Sequence, residues 1–453
     1  MKNLSFRNIT KVCDGEYRGD EKLLDVEVSA VVIDNREVTE GSLFVAIDGR
    51  NVNAHKFIPD AVKRGASLIV SQEDLGEPDF PYILVKDSGQ GLLDIAKLYR
   101  DSLDIKVVGI TGSVGKTSTK EAIATVLSEQ FKVHKTIGNF NNEWGLPLTI
   151  FAMPEDTEIA ILEMGVNHFG EMRRLSQVAS PDICVITNIG TSHLEFFKTR
   201  EGILKEKSQM IEDMKDGGHI LLNGDDDLLR TIPPHNGICP LYFGTNKEDH
   251  FYVDEIKSLG LNGTHCHIHM PNFKDFEVTV PIPGEHFVMN ALCASACGCI
   301  FWMRREKIKA GIEKLKGVTG RNNIIKTERY TVLDDCYNAS PTSMMASLDV
   351  MKETSGRKVA ILGDMGELGE NSVVFTKEVG EYARDNGIDV IIAIGNLAKN
   401  YIDTSSDVEQ YLFDDKESFY LKAGDILQNK DNIMIKASHG AHFEEIVDYL
   451  VKL

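Results

Sequence analysis

Val107-Val108-Gly109-Ile110-Thr111-Gly112-Ser113-Val114-Gly115-Lys116-Thr117 is an apolar run that breaks into a glycine loop ending in Lys-Thr, with a helix-compatible segment behind it. Strand, loop and helix in that order read as a phosphate cradle. Glycines let backbone N–H groups turn toward an anion, the lysine ammonium reaches outer phosphates, and the threonine hydroxyl can hold Mg²⁺. The position six before Lys116 is Ile110, so the loop departs from general Walker A spacing and reduces to Gly112-x-x-Gly115-Lys116-Thr117. A short Gly-Lys-Thr match alone is also compatible with an ordinary strand-to-helix turn. The flanking strand and helix favour the phosphate reading, which predicts ATP or GTP as ligand.

A chain of 453 residues is too long for one core and predicts about three domains. Its hydrophobic content of 42% and charged content of 26% are ordinary for a globular protein. The formal net charge of −20 argues against a nucleic-acid binder that relies on a broad basic surface. Met1-Lys2-Asn3-Leu4-Ser5-Phe6-Arg7 has no apolar core of signal-peptide length, and the expected compartment is the cytoplasm. The apolar stretch from Phe287 to Met303 is interrupted by Asn290 and Ser295 and falls short of the roughly 20 residues a bilayer requires; it predicts a buried core helix. Cys293, Cys297 and Cys299 lie in it, where free cysteine behaves as a small hydrophobe, and no Cys-x-x-Cys pair occurs.

The periodicity predicts an α/β protein of three domains. Residues 1–104 carry short strand-like runs at Ala30 to Ile33, Leu43 to Ile47, Ser67 to Val70 and Tyr82 to Val85, a small α/β domain. Residues 105–319 alternate strands at Lys106 to Ile110, Glu158 to Leu162, Asp182 to Thr187 and His219 to Leu222 with helical segments, a central P-loop ATPase domain with a mainly parallel sheet. Its stretch from about Leu241 to Pro283 reads as an appended subsheet. Residues 320–453 repeat the alternation at Tyr330 to Leu333, Lys358 to Leu362, Val390 to Ile394 and Ile433 to Ile435, a Rossmann-like domain without a Gly-x-Gly-x-x-Gly turn.

Ligands of such sheets sit at the carboxyl ends of the strands. Glu163 emerges there, on the rim that carries the glycine loop, and suits Mg²⁺, a hard cation held by one or two carboxylates and substrate phosphates. His193, in Asn188-Ile189-Gly190-Thr191-Ser192-His193, is on the same rim and reads either as a packing residue or as a metal ligand or proton handler. Asn139, Asn141 and Asn142 either bind polar ligand groups or stabilise turns. His265, His267 and His269 alternate on a strand and share one face; a zinc reading finds no nearby acidic or cysteine ligand to complete a tetrahedral set, and a solvated face is the alternative. Asp225-Asp226-Asp227 reads as a solvated loop or helix cap.

With these residues in place, the chain resembles the Mur ligases, ATP-dependent amide-forming enzymes of peptidoglycan precursor synthesis. The similarity runs from Asp34-Asn35-Arg36 to Lys436-Ala437-Ser438. Gly112-Ser113-Val114-Gly115-Lys116-Thr117-Ser118-Thr119-Lys120-Glu121 matches the family's ATP loop, implying nucleotide contacts from Gly112 through Ser118. Gly138-Asn139-Phe140-Asn141-Asn142-Glu143-Trp144-Gly145-Leu146-Pro147-Leu148-Thr149 and Gly363-Asp364-Met365-Gly366-Glu367-Leu368-Gly369 look like the dipeptide-adding branch. The resemblance implies a monomer that uses ATP and Mg²⁺ to join D-alanyl-D-alanine to UDP-N-acetylmuramoyl-tripeptide through an acyl phosphate, with residues 1–104 holding the uridine nucleotide.

The same resemblance implies roles for single residues. Thr117, Glu163, His193 and Lys207 are metal ligands, with Lys207 carbamylated by CO₂; read without the family, Lys207 is a surface helix lysine. Lys116, Lys207 and His193 are the catalytic set. Asn290 is similar to an adenine contact, and Arg321, Asp335 and Asn338 match residues that close over ATP. Three departures stand out: Asp34-Asn35-Arg36 for the usual Asp-Ser-Arg, Tyr337-Asn338-Ala339-Ser340-Pro341 for Tyr-Asn-Ala-Asn-Pro, and Lys436-Ala437-Ser438-His439 for Lys-Gly-Ser-Arg. Histidine in place of a fixed cation weakens an anion contact at neutral pH. A superfamily ligase with another acceptor and a non-catalytic nucleotide-binding relative are the alternative readings.

Overall fold

The computed structural model describes residues 1–49, 52–191, 194–271, 274–366 and 368–453. Three mixed α/β domains follow one another, each built on its own sheet. The first sheet has the order Glu16–Arg18, Tyr82–Leu84, Leu68–Ser71, Leu43–Val45, Val31–Val32, with only the Glu16–Arg18 edge antiparallel. Its helix Ser88–Asp101 packs on the second domain, where Leu92, Leu93 and Ile95 share one buried core with Leu146, Ile150 and Leu175. Buried Arg100 fastens this seam by donating from Nε to Ala179 O (2.9 Å) and from Nη2 to Ser180 O (2.8 Å), closing the carbonyl end of the helix Glu171–Ala179.

The middle sheet has nine strands, and its centre explains the position of the site. Lys106–Thr111 lies between Ile159–Glu163 and Ile183–Ile186, all parallel. These strands are runs of β-branched and aliphatic residues covered on both faces, as central parallel strands must be. Their carboxyl ends therefore converge on one rim. Glu163 is the last residue of its strand, not the first beyond it, and the strand Val133–Lys135 extends the parallel order outside it.

The stretch from Leu241 is appended to the main sheet and continuous with it. Leu241–Gly244 pairs in parallel with His219–Asn223, so the following strands Phe251–Ser258, Thr264–His269 and Phe276–Val280 continue the same sheet as an antiparallel meander at its edge. The apolar segment forms the helix Glu285–Ile300, whose Ala291, Cys293, Ala294, Ala296 and Cys297 are fully buried. Small side chains let it lie close against the helix Lys116–Leu127 behind the glycine loop. Among the described residues no helix is long and apolar enough to cross a membrane.

The third sheet has the order Asn323–Lys326, Thr331–Asp334, Asn432–Lys436, Lys358–Gly363, Val390–Ile394, Glu409–Phe413 and is parallel except for its first edge. That antiparallel edge and the outer strand Glu409–Phe413 have half-exposed, weakly patterned sequences. Where the third domain begins, Asn322 Nδ2 donates to Pro283 O at 2.6 Å, a bond across the seam to the middle domain.

Candidate active site

Lys106–Thr111 runs into a loop that only glycine permits at two points. Gly112 has φ +152° and Gly115 φ +82°, and a β-carbon on Gly112 would collide with the Thr187 hydroxyl. The neighbouring strand's exit pins the loop. Ser113 N donates to Asn188 O (3.1 Å), Val114 N to Asn188 Oδ1 (2.9 Å) and Gly190 N to Ser113 Oγ (2.9 Å). With those amides engaged, the N–H groups of Gly115, Lys116, Thr117 and Ser118 remain at the start of the helix, whose first internal bond is Thr119 N to Gly115 O. Donors without a partner among the described residues, with the helix dipole behind them, suit an anion. Lys116 folds back over the loop, donating to Gly112 O at 2.8 Å. Burial pushes its pKa down, Glu163 opposes the shift, and the charge of Arg321 adds to it.

Glu163 is almost fully buried and holds its neighbours in place. Thr117 Oγ1 lies 2.9 Å from Oε2 and 3.1 Å from Oε1, Asn141 Nδ2 donates to Oε1 at 2.8 Å, and Lys120 Nζ is 3.6 Å from Oε2. A carboxylate and a hydroxyl side by side at the phosphate loop are hard oxygen donors of the kind that suits Mg²⁺. Asn142 instead accepts from Trp144 N (3.1 Å) and Gly145 N (2.9 Å), capping the helix Gly145–Phe151. Of the asparagines in that segment, Asn141 faces the site and Asn142 serves the turn.

Lys207 is not a surface residue. It ends the helix Arg200–Lys207 with 2% of its surface exposed. Its neighbour Glu206 offers no ion pair, because its carboxylate is spent on Gly170 N (2.9 Å) and Met172 N (2.8 Å). Among the described residues no acceptor takes a hydrogen bond from Lys207 Nζ. Burial, reinforced by the charge of Lys116, holds its pKa well below the usual lysine value. The charge of Glu206 opposes that shift, and a buried amine whose pKa is held down beside the phosphate loop suits attack on CO₂, which supports the carbamate reading. His193 lies outside the described residues.

The third domain supplies the opposite wall. The Arg321 guanidinium lies 3.9 Å from the centre of the Tyr337 ring, and Tyr337 in turn lies 5.1 Å from His439. Asp335 accepts from Asn322 N (3.0 Å) and Ser347 Oγ (2.5 Å) and pairs with buried Lys436. Asn338 turns its Oδ1 back to Ala339 N at 2.9 Å. His286 is partly exposed, yet protein packed around its ring pushes its pKa down to about 4 against the pull of Asp335. Asn290 accepts from Thr119 Oγ1 at 2.9 Å and ties the core helix to the phosphate-loop helix. Lys120, Asn188, Tyr337 and Lys436 were given no role by sequence reasoning. Lys120 was detectable: it shares the helix face of Ile123 and Leu127, and a lysine on an apolar face needs a buried partner.

Residues 110–298 match the Mur ligase middle domain, and residues 320–439 match the Mur ligase glutamate ligase domain. The chain is 37% identical to the UDP-N-acetylmuramoyl-tripeptide--D-alanyl-D-alanine ligase of Bacillus subtilis over 100% of this chain and 99% of the relative. It is 31% identical to the Escherichia coli protein of that name, over 99% and 98%. Among solved structures, MurF from Acinetobacter baumannii superposes with a TM-score of 0.91 at 27% identity, covering 99% of each chain. MurF ligase from Thermotoga maritima in complex with ADP gives 0.85 at 29% identity, covering 93% of this chain and 97% of that one. The glycine loop on the middle-domain rim, the third domain facing it and these likenesses together identify an ATP-dependent ligase. The chain belongs to the Mur ligase family.

Proposed function

We propose that this ligase joins D-alanyl-D-alanine to UDP-N-acetylmuramoyl-tripeptide in the cytoplasm, acting as a monomer on small-molecule substrates. The carrying observation is the convergence of Lys116, Lys207 and the Glu163–Thr117 pair on one rim opposite Arg321, in a chain similar over its whole length to ligases of that name. A carboxylate does not form an amide unaided, since oxide is a poor leaving group. The tripeptide's terminal carboxylate oxygen attacks the γ-phosphorus of ATP, the bond to the β–γ bridging oxygen breaks, and ADP leaves. The amine of D-alanyl-D-alanine then attacks the acyl phosphate carbon; phosphate leaves with the bonding pair and the amine loses its proton.

The residues divide this work by charge. The Gly115–Ser118 amides and Lys116 take the phosphates and stabilise charge on the transferring group. Thr117 and Glu163 would hold Mg²⁺ through their oxygens, with carbamylated Lys207 and His193 as further ligands, and the bound ion would supply charge neutralisation at the γ-phosphate. Arg321, Asp335 and Asn338 close over ATP from the third domain and Asn290 borders its adenine. Residues 1–104 hold the uridine nucleotide, 105–319 the ATP, and 320–453 the dipeptide. Closure keeps water from the acyl phosphate.

The test is phosphate release by the purified chain with ATP, Mg²⁺ and UDP-N-acetylmuramoyl-tripeptide, carrying lysine or diaminopimelate, with and without D-alanyl-D-alanine. Dipeptide-dependent release and a pentapeptide mass are expected. ATP binding without a product from either tripeptide would overturn the reading in favour of another acceptor or a non-catalytic relative.

A further inference from the structure

The meander at the edge of the middle sheet carries a second polar cluster, on other strands than the nucleotide site. Strand Thr264–His269 alternates strictly: Cys266 and Ile268 point into the core, while His265, His267 and His269 lie on the half-exposed face. The missing acidic ligand comes from the neighbouring strand. Asp254 stands directly opposite His267 in the antiparallel register, just before an irregularity between Asp254 and Lys257 where Glu255 has φ +53°. Such a bulge re-aims side chains. Asp254 Oδ1 lies 2.9 Å from His269 Nε2 and 3.6 Å from His267 Nδ1, and the three ligand atoms all fall within 4.8 Å of one another.

We propose that Asp254, His267 and His269 bind a first-row divalent transition-metal ion, Zn²⁺ being the probe of choice. A tetrahedral ion about 2.0–2.1 Å from each donor separates its ligands by about 3.3 Å, close to the two spacings found here. The hydrogen-bond accounting at His269 points the same way. Its Nδ1 meets Asp275 Oδ2 at 3.0 Å while its Nε2 meets Asp254, so a carboxylate oxygen faces each ring nitrogen. Neutral imidazole has one N–H to give. A ring that gives its one proton to Asp275 turns its Nε2 lone pair toward Asp254 Oδ1, and a cation held between the two would turn that contact into two bonds. A carboxylate on the far nitrogen is the usual support of a metal-binding histidine. Lys247 pairs with the other oxygen, Oδ2, at 3.2 Å, leaving Oδ1 free for single-oxygen ligation. Parallel stacking of Tyr252 on His269, 4.1 Å between centres, holds the ring plane. Three protein ligands and an open side leave room for water as the fourth ligand.

The experiment is Zn²⁺ binding to the full chain by equilibrium dialysis, with excess Mg²⁺ to occupy the nucleotide site, repeated with Co²⁺ to read four-coordination from its visible absorption. One equivalent is expected for the unmodified protein. D254N and H267Q should each weaken binding about 100-fold and remove the Co²⁺ signature, and D275N about 10-fold, all with ATP turnover unchanged as the check on folding. No stoichiometric Zn²⁺ on the folded unmodified protein, or binding that D254N and H267Q leave intact, would overturn the proposal. The cluster would then be a hydrogen-bonded group of two histidines and two carboxylates only.

Discussion

The middle and third domains set two largely parallel sheets with similar rims, and their central strands exit in different ways. In the middle domain the strand Lys106–Thr111 exits through two positive-φ glycines, and the amides of Gly115 to Ser118 find no partner in the chain among the described residues. In the third domain the strand Lys358–Gly363 exits into Asp364, whose carboxylate takes Asn396 N (3.2 Å), Leu397 N (3.0 Å) and Ala398 N (2.7 Å) at the neighbouring strand's exit. One exit leaves its helix-start amides available to an anion; at the other, Asp364 takes three amides of the neighbouring exit. The first exit suits a phosphate because no carboxylate takes the Gly115–Ser118 amides among the described residues, while the third domain brings Arg321 toward it and keeps Lys436 buried on Asp335.

The largest effect should come from emptying the first rim of its cation. Lys116→Ala should lower kcat by about 10³-fold in steady-state phosphate release while leaving the melting temperature unchanged or higher. Lys207→Met should lower ligation by about 10²-fold or more and, in bicarbonate-free buffer at pH 7, raise Tm. The sign follows from linkage. The lysine's folded pKa lies below its ordinary value of 10.5, so the unfolded chain binds the extra proton and the group costs stability below 10.5, a cost that fades as pH rises toward that value. The Tm gap between Lys207→Met and the unmodified chain should therefore narrow between pH 7 and pH 10.

Asp364→Ala tests the other rim. Three amides lose a charged acceptor, and urea denaturation should record a loss of about 1–3 kcal/mol, with KM for ATP changed less than about twofold. A larger change in KM would mean the two rims are not divided as described. The smallest effect is expected at the cleft wall: Tyr337→Leu removes the ring under Arg321 and should lower kcat/KM for ATP about threefold to fivefold, the equivalent of one exposed cation–π contact.

Legibility from sequence followed the range of the interactions. The glycine loop was readable because its parts are contiguous, and the central strands because both faces are buried and their residues are uniformly apolar. The weaker strands Glu16–Arg18, Asn323–Lys326 and Glu409–Phe413 lie at sheet edges, where half-exposed residues carry no strong period, and they went unread. Burial of Lys207 could not be read, since it comes from packing against segments distant in sequence, as the bonds of the adjacent Glu206 to Gly170 and Met172, 36 and 34 residues away, illustrate. The ligand set on the meander failed for the same reason: His267 and His269 are local, while Asp254 reaches them only through strand pairing. Asn141 and Asn142 are adjacent in the chain and opposite in role, which spacing cannot separate.

The central claim is that the first rim delivers a phosphoryl group onto a substrate carboxylate. It is tested most directly by following oxygen. Tripeptide substrate labelled with ¹⁸O in its terminal carboxylate is turned over with ATP and D-alanyl-D-alanine, and the released phosphate is analysed by mass spectrometry. Transfer through an acyl phosphate predicts one labelled oxygen in each phosphate released. Unlabelled phosphate accompanied by amide product would contradict the account.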